Sequence, residues 1–120
     1  MLRGSRVLIV EDDMMIALLV EDMLEDLGCV VAGTANTLAG AINDARDGGP
    51  FDAAILDVNL DGAAVFPVAD ILHGRGVPII FSTGYGDAGL RDADKGCPVL
   101  HKPYRIDNLE SALRAALRPA

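Results

Sequence analysis

Cysteine and aromatic residues are scarce in this sequence. The chain has two cysteines, no tryptophan and only 4% aromatic residues. Two cysteines are too few for the disulfide framework that stabilises many small secreted domains. Cys29 and Cys97 both lie in apolar stretches, which favours buried free thiols in a reducing compartment.

Positive charge and long apolar runs are also lacking. The chain carries 10 basic and 18 acidic residues, a net charge of −8. An acidic chain without a basic stripe is a poor direct ligand for nucleic acid or an anionic membrane. Acidic residues interrupt every apolar run before it reaches membrane-spanning length, and Glu11 follows an apolar run too short for a signal peptide. These absences predict a cytoplasmic protein.

The sequence does have the length and apolar content of one folded domain. It has 120 residues, of which 51% are hydrophobic, and it shows no repeat, linker or low-complexity tract. We therefore expect a single domain over residues 1–120.

Short apolar runs alternate with helical patterns along the whole chain. The runs are mostly continuous rather than alternating, as in strands that are covered on both faces. Around residues 86–94 the helical pattern is poor, so we expect a short or frayed helix there. The predicted strands are 7–10, 29–32, 53–56, 79–81 and 99–100, and the other predicted helices are 14–27, 37–47, 66–73 and 106–117. This order predicts an α/β, doubly wound, flavodoxin-like (βα)5 fold with a parallel sheet of strand order 2-1-3-4-5.

Polar residues follow four of the five predicted strands. In open parallel sheets, ligands bind beyond the carboxyl ends of the strands, so these residues are expected at one rim. Asp12 or Asp13 could instead only cap the first helix, but a chance gathering of all these groups is a poor explanation. The residues are Glu11, Asp12, Asp13, Asp57, Ser82, Thr83, Gly84 and Lys102.

The rim residues predict a cation and phosphoryl site. Asp12, Asp13 and Asp57 would repel one another without a cation, and an all-oxygen set suits Mg²⁺, with Mn²⁺ also possible. No histidine or cysteine joins them, which argues against zinc. Lys102 offers a compact positive charge and Thr83 a hydroxyl, and Gly84 keeps the backbone approachable. Together they suit a phosphoryl group, with a carboxylate as nucleophile.

This arrangement resembles the receiver domain of two-component response regulators, the CheY-like family. The resemblance spans residues 6–118. Residues 78–86, with the sequence PIIFSTGYG, are similar to the Phe-Ala-Thr-Gly signature of the "FAT GUY" subgroup, and residues 57–62 fit that subgroup too. Such receivers occur largely in alphaproteobacteria and are often paired with kinases of the HWE class. The residues that carry the resemblance are Glu11, Asp12, Asp13, Asp57, Thr83, Lys102 and Pro103.

The resemblance implies a role for each acidic residue. Asp57 is the expected phosphoacceptor, which takes a phosphoryl group from a sensor histidine kinase. Asp13 and Asp57 are expected to bind Mg²⁺ directly, with the backbone carbonyl of Asn59 as a third protein ligand. Asp12 is expected to act through a bound water, and Glu11 to lie outside the coordination sphere.

The resemblance also assigns the residues after the fourth and fifth strands. Lys102 would pair with a phosphoryl oxygen and Thr83 would hydrogen-bond another, beside Gly84. The Lys102–Pro103 peptide bond is expected to be cis, which costs least before proline. Many receivers have an aromatic switch residue three positions before the lysine, where this chain has Val99.

Without that aromatic residue, Tyr85 and Tyr104 are the switch candidates near the site. We expect a regulator, not an enzyme, that signals by contact with a downstream protein as a monomer or weak dimer. A phosphate sink and a pseudo-receiver that is never phosphorylated are the alternatives. An aspartyl phosphatase is disfavoured because such enzymes need a second Asp two residues after the nucleophile, where this chain has Asn59.

Overall fold

A five-stranded parallel sheet forms the centre of the protein. The computed structural model describes residues 2–84 and 90–118. The strands are β1 (Arg6–Val10), β2 (Val30–Ala35), β3 (Ala53–Asp57), β4 (Asn59–Leu60), β5 (Ala63–Ala64), β6 (Ile79–Thr83) and β7 (Val99–His101). Strands β4 and β5 form a separate two-stranded sheet, and the other five form the central sheet in the order β2-β1-β3-β6-β7. This order confirms the predicted 2-1-3-4-5 order and the flavodoxin-like fold.

Helices cover both faces of the sheet. The helices are α1 (Met14–Asp26), α2 (Leu38–Asp47), α3 (Phe66–Gly74) and α4 (Ile106–Ala116). Side chains alternate along β1, so Leu8 packs on the side of α2 and α3, whereas Ile9 packs on the side of α1 and α4. Every residue of β3 and β6 is buried, because both are inner strands covered on both faces. This burial explains why their sequences are continuously apolar until the last residues.

Two segments differ from the sequence prediction. The second strand is longer than predicted and runs to Ala35. Part of the weak helix expected over residues 86–94 lies outside the described residues, and its end, Asp92–Asp94, is a single 3-10 turn. The carboxyl ends of β1, β3, β6 and β7 nevertheless meet at one rim, as expected.

The state of the cysteines and the length of the helices can also be compared with the sequence predictions. Cys29 is buried, Cys97 is half-buried, and both are free thiols; burial raises the pKa of each. In the part of the chain that the structure describes, none of the helices has the length and apolarity needed to cross a membrane.

Candidate functional site

Asp57 occupies the centre of the rim. It is the last residue of β3 and is buried. Its Oδ2 accepts a hydrogen bond from Lys102 Nζ at 3.1 Å, and its Oδ1 accepts one from the Asn59 backbone N–H at 3.2 Å. β3 lies between β1 and β6, so Asp57 is flanked by the residues that leave both neighbouring strands.

Lys102 connects Asp57 to Glu11. The Lys102 Nζ lies 2.7 Å from Glu11 Oε1, so one ammonium group serves two buried carboxylates. The backbone N–H of Lys102 donates to the carbonyl of Thr83, and the Lys102–Pro103 peptide bond is cis. Burial alone would lower the pKa of Lys102, but the hydrogen bonds to Glu11 and Asp57 raise it. Lys102 is therefore held as a cation between its two partners.

The negative charge of Glu11 is only partly compensated by its hydrogen-bond donors. Its residue is 4% exposed, and burial raises its pKa from 4.5 to about 7, despite the hydrogen bonds from Lys102 and from the Asp13 backbone. The neighbouring charge of Asp57 adds to the rise. A carboxyl group shifted in this way is more stable when a further cation is present.

Asp12 completes a cluster of three carboxylates. Oxygen atoms of Glu11, Asp12 and Asp57 lie within 4.8 Å of one another. Asp12 Oδ2 accepts a hydrogen bond from the Asp61 backbone N–H at 2.7 Å. Burial acts to raise the pKa of Asp12, but hydrogen bonds from its neighbours outweigh that effect and lower it. Hard oxygen donors at this spacing fit a divalent cation such as Mg²⁺.

Asp13, which was expected to bind the cation directly, lies outside this cluster of three carboxylates. It is the N-cap residue of α1, and its Oδ1 accepts hydrogen bonds from the backbone N–H groups of Met15 and Ile16 at 3.0 and 3.4 Å. Glu11 takes the place in the cluster that the sequence analysis gave to Asp13. The capping role agrees with the alternative that Asp12 or Asp13 caps the first helix, since an Asp immediately before a helix is a typical N-cap.

The remaining predicted residues lie around the cluster. Thr83 ends β6 and is buried. A side chain placed on Gly84 would meet open space within 4 Å. Tyr104 packs against the core on the side of α1 and α4, and burial raises its pKa. Tyr85, the other predicted switch aromatic, lies outside the described residues.

Asn59, predicted to offer its backbone carbonyl, lies two residues after Asp57. Its backbone N–H bonds Asp57 Oδ1, and its side-chain Oδ1 accepts a hydrogen bond from the backbone N–H of Gly62 at 2.9 Å. The side chain is thus committed to the following turn.

Comparison with known proteins gives the family. The response regulator receiver domain matches residues 7–114. The chain is 30% identical over 117 residues to the phyllosphere-induced regulator PhyR of Methylorubrum extorquens, and 37% identical over 123 residues to the transcriptional regulatory protein TcrA of Mycobacterium tuberculosis. These matches cover 95% and 96% of this chain but 44% and 47% of those proteins, so the chain spans about half the length of these curated relatives.

Solved structures agree with the family match. The solution structure of SdrG from Sphingomonas melonis Fr1 is 43% identical with a TM-score of 0.84, and the match covers 95% of this chain and 97% of that one. The BeF3-activated conformation of SdrG, also 43% identical, has a TM-score of 0.80 over 98% and 99% of the two chains. The chain belongs to the response regulator receiver domain family of two-component signalling.

Proposed function

We propose that this receiver accepts a phosphoryl group on Asp57 from the phosphohistidine of a sensor histidine kinase. The observation that carries this proposal is the buried Asp57 carboxylate, bonded to Lys102 and placed against two further carboxylates. In the transfer, an Asp57 oxygen forms a bond to phosphorus while the phosphorus–nitrogen bond of the donor breaks. The imidazole of the kinase leaves with the electron pair of that bond and is neutral because its other ring nitrogen holds a proton.

Each neighbouring residue has a proposed part in this transfer. Lys102 pairs with a phosphoryl oxygen once Asp57 is modified, since it already lies 3.1 Å from Asp57 Oδ2. Thr83 offers its hydroxyl to another phosphoryl oxygen, and Gly84 leaves space beside it. Mg²⁺, held by Glu11, Asp12, Asp57 and the Asn59 carbonyl, would neutralise charge on the phosphoryl group.

A regulatory role agrees better with the site than phosphatase turnover. The phosphatase alternative needs a carboxyl group two residues after the nucleophile to act as general acid. This chain has Asn59 there, and its side chain already bonds the Gly62 backbone. We propose that residues 1–120 act as one receiver unit that signals by protein contact.

The exposed side of α1 is the proposed kinase-docking surface. Met15 is 81% exposed, and Met14, Leu18 and Leu19 are each more than half exposed. Between α1 and the segment after β7 lies an apolar groove that includes Ile16 and reaches Lys102. A helical partner on this surface would bring its phosphohistidine close to the rim. We propose a sensor histidine kinase as that partner, with the HWE class as the specific candidate.

Intact mass after incubation with Mg²⁺ and acetyl phosphate tests the proposal. We expect one added phosphoryl group on the parent protein, lost again by self-hydrolysis, and none on Asp57→Ala. Addition of a phosphomonoester should give no turnover. Phosphorylation of Asp57→Ala, or repeated turnover of the phosphomonoester, would contradict the proposal.

A phosphotransfer assay with a kinase distinguishes a pseudo-receiver from a receiver that is phosphorylated by its kinase but not by small donors such as acetyl phosphate. Transfer from a phosphorylated HWE-class kinase is expected for the parent, and slower transfer for Met15→Ser, whose side chain lies on the docking surface. Asp70→Asn, on α3, is the matched control and should transfer at the parent rate. If the parent accepts no phosphoryl group from any kinase tested and also forms no adduct with acetyl phosphate, the pseudo-receiver alternative is favoured.

A further inference from the structure

A small β-hairpin directly follows Asp57. β4 and β5 pair as antiparallel strands, with Leu60 opposite Ala63. The two residues between them, Asp61 and Gly62, have φ angles of 50° and 90°. Both residues are therefore left-handed, as in a type I′ turn, for which Asp-Gly is a preferred pair. Buried Leu60 anchors the hairpin to the core.

The outer edge of this hairpin faces the carboxylates. Backbone N–H groups alternate between the two edges of a strand, so residues two apart share an edge. Leu60 pairs inward with Ala63, which turns the N–H groups of Asn59 and Asp61 outward. The Asn59 N–H donates to Asp57 Oδ1 at 3.2 Å, and the Asp61 N–H donates to Asp12 Oδ2 at 2.7 Å. One strand edge thus holds two of the three carboxylates.

We propose that the Asp61 backbone N–H is a positioning group for the divalent cation. By bonding Oδ2 of Asp12, it fixes the orientation of that carboxylate and leaves the other oxygen for the cation. The left-handed Asp61–Gly62 turn is what presents this N–H to Asp12. This inference rests on the proposed cation site of Glu11, Asp12 and Asp57.

The side chain of Asp61 can be separated from its N–H. Asp61 is exposed and borders an open cleft lined also by Asn36, Thr37 and Ala63. Its carboxylate does not join the three-carboxylate cluster of the described residues. Replacing the side chain therefore removes a peripheral charge, whereas disturbing the positive φ displaces the donor.

The experiment measures the dissociation constant of Mn²⁺ by calorimetry for the parent chain and three Asp61 variants. Asp61→Asn and Asp61→Val both remove the charge, but Asn tolerates a positive φ whereas β-branched Val does not. We expect Asp61→Val to bind Mn²⁺ about tenfold more weakly than Asp61→Asn, the size typical of groups that orient a metal ligand. Asp61→Gly, which keeps the turn, should bind as Asp61→Asn does.

Equal affinities for the Val and Asn variants would overturn this inference alone, since the cation site itself would remain. A parent chain that binds no Mn²⁺ would overturn the proposed cation site as well.

The Asp61 amide resonance gives a test that does not depend on how Asp61→Val folds. An N–H that donates to a carboxylate forms a strong, short bond, so its proton resonance should lie downfield in the parent protein. Asp12→Asn should shift this resonance upfield, whereas Asp13→Asn should leave it unchanged. A resonance that is insensitive to Asp12→Asn would show that the hydrogen bond has no positioning role.

Discussion

Two clusters, each built around a buried carboxyl group, differ in how the charge of that group is compensated. The rim cluster consists of Glu11, Asp12, Asp57 and Lys102. The Asp94 cluster consists of Asp94, Arg91, His73 and Asp70. Asp94 is 0% exposed and accepts hydrogen bonds from Arg91 Nε at 2.7 Å and from His73 Nε2 at 2.8 Å.

The pKa values of Glu11 and Asp94, one buried carboxyl group from each cluster, shift in opposite directions. Burial acts to raise the pKa of Asp94, but the hydrogen bonds from Arg91 and His73 outweigh burial and lower it. Burial raises the pKa of Glu11 to about 7, although Glu11 lies 2.7 Å from Lys102. Although both side chains are buried, folding favours the ionised form of Asp94 and disfavours the ionised form of Glu11.

This difference in charge compensation indicates which of the two clusters is suited to bind a cation. Arg91 also pairs with Asp70 at 2.9 Å and lies over the Phe66 ring, so the buried Asp94 carboxylate has an arginine and a histidine as hydrogen-bond donors. The Asp94 cluster connects the 3-10 turn to α3 through the contacts of Asp94 with His73 and of Arg91 with Asp70. The rim cluster has three carboxylates and one ammonium group. Three neighbouring carboxylates repel one another unless a further cation is present, whereas Asp94 has its hydrogen-bond donors within the protein.

The largest expected effect is the stability loss when Asp94 is removed. Asp94→Ala leaves Arg91 and His73 without their shared acceptor, and we expect a loss of about 3 kcal/mol in the free energy of unfolding. Asp57→Ala removes one of three repelling carboxylates while Lys102 keeps Glu11, so we expect stability within about 1 kcal/mol of the parent. Urea denaturation of the metal-free proteins measures both.

Asp70→Ala is the control for this comparison. Its carboxylate is 63% exposed and pairs with the same arginine, so its loss should cost no more than about 0.5 kcal/mol. Equal destabilisation by Asp94→Ala and Asp57→Ala would contradict the contrast between the two clusters.

The second effect is the pH dependence of stability in the metal-free protein. The pKa of Glu11 rises from 4.5 to about 7 on folding, so the folded state holds a proton that the unfolded state has lost between these values. Stability should therefore fall as pH rises through this window, with a slope of up to about 1.4 kcal/mol per pH unit. Asp94, whose pKa is lowered on folding, contributes stability that is lost only as pH falls below 3.8.

Glu11→Gln isolates the contribution of Glu11. Glutamine has no proton to lose, so the variant should show a flatter profile between pH 4.5 and about 7, while the acid limb below 3.8 remains. Chelator is included so that no cation masks the titration. Identical profiles for the parent and Glu11→Gln would show that Glu11 does not carry this dependence.

The sequence allowed the sheet order to be predicted, but not which acid faces the cluster. Continuous apolar runs identified the inner strands, and strand ends at a shared rim brought Asp57 and Lys102 together. Glu11, Asp12 and Asp13 are consecutive, and a shift of one residue turns a side chain to the other face of a strand. Their assignment depended on where β1 ends and α1 begins, and element boundaries are poorly determined by local pattern.

The burial of Asp94 could not be predicted from the sequence pattern either. It lies in a segment with a weak helical pattern, and its burial comes from His73 on α3 and from Arg91. His73 is 21 residues away in the chain. A buried charge of this kind depends on tertiary contact, which no local periodicity records.

The smallest expected effect separates two adjacent aspartates. Mg²⁺ at ten times its dissociation constant should raise the free energy of unfolding of the parent by about 1.4 kcal/mol. Asp12→Asn should lose most of this gain, because Asp12 belongs to the carboxylate cluster. Asp13→Asn should keep it, because asparagine caps a helix as well as aspartate does and Asp13 faces α1. Urea denaturation with and without Mg²⁺ measures the gain; its loss in Asp13→Asn alone would return Asp13 to the cation site.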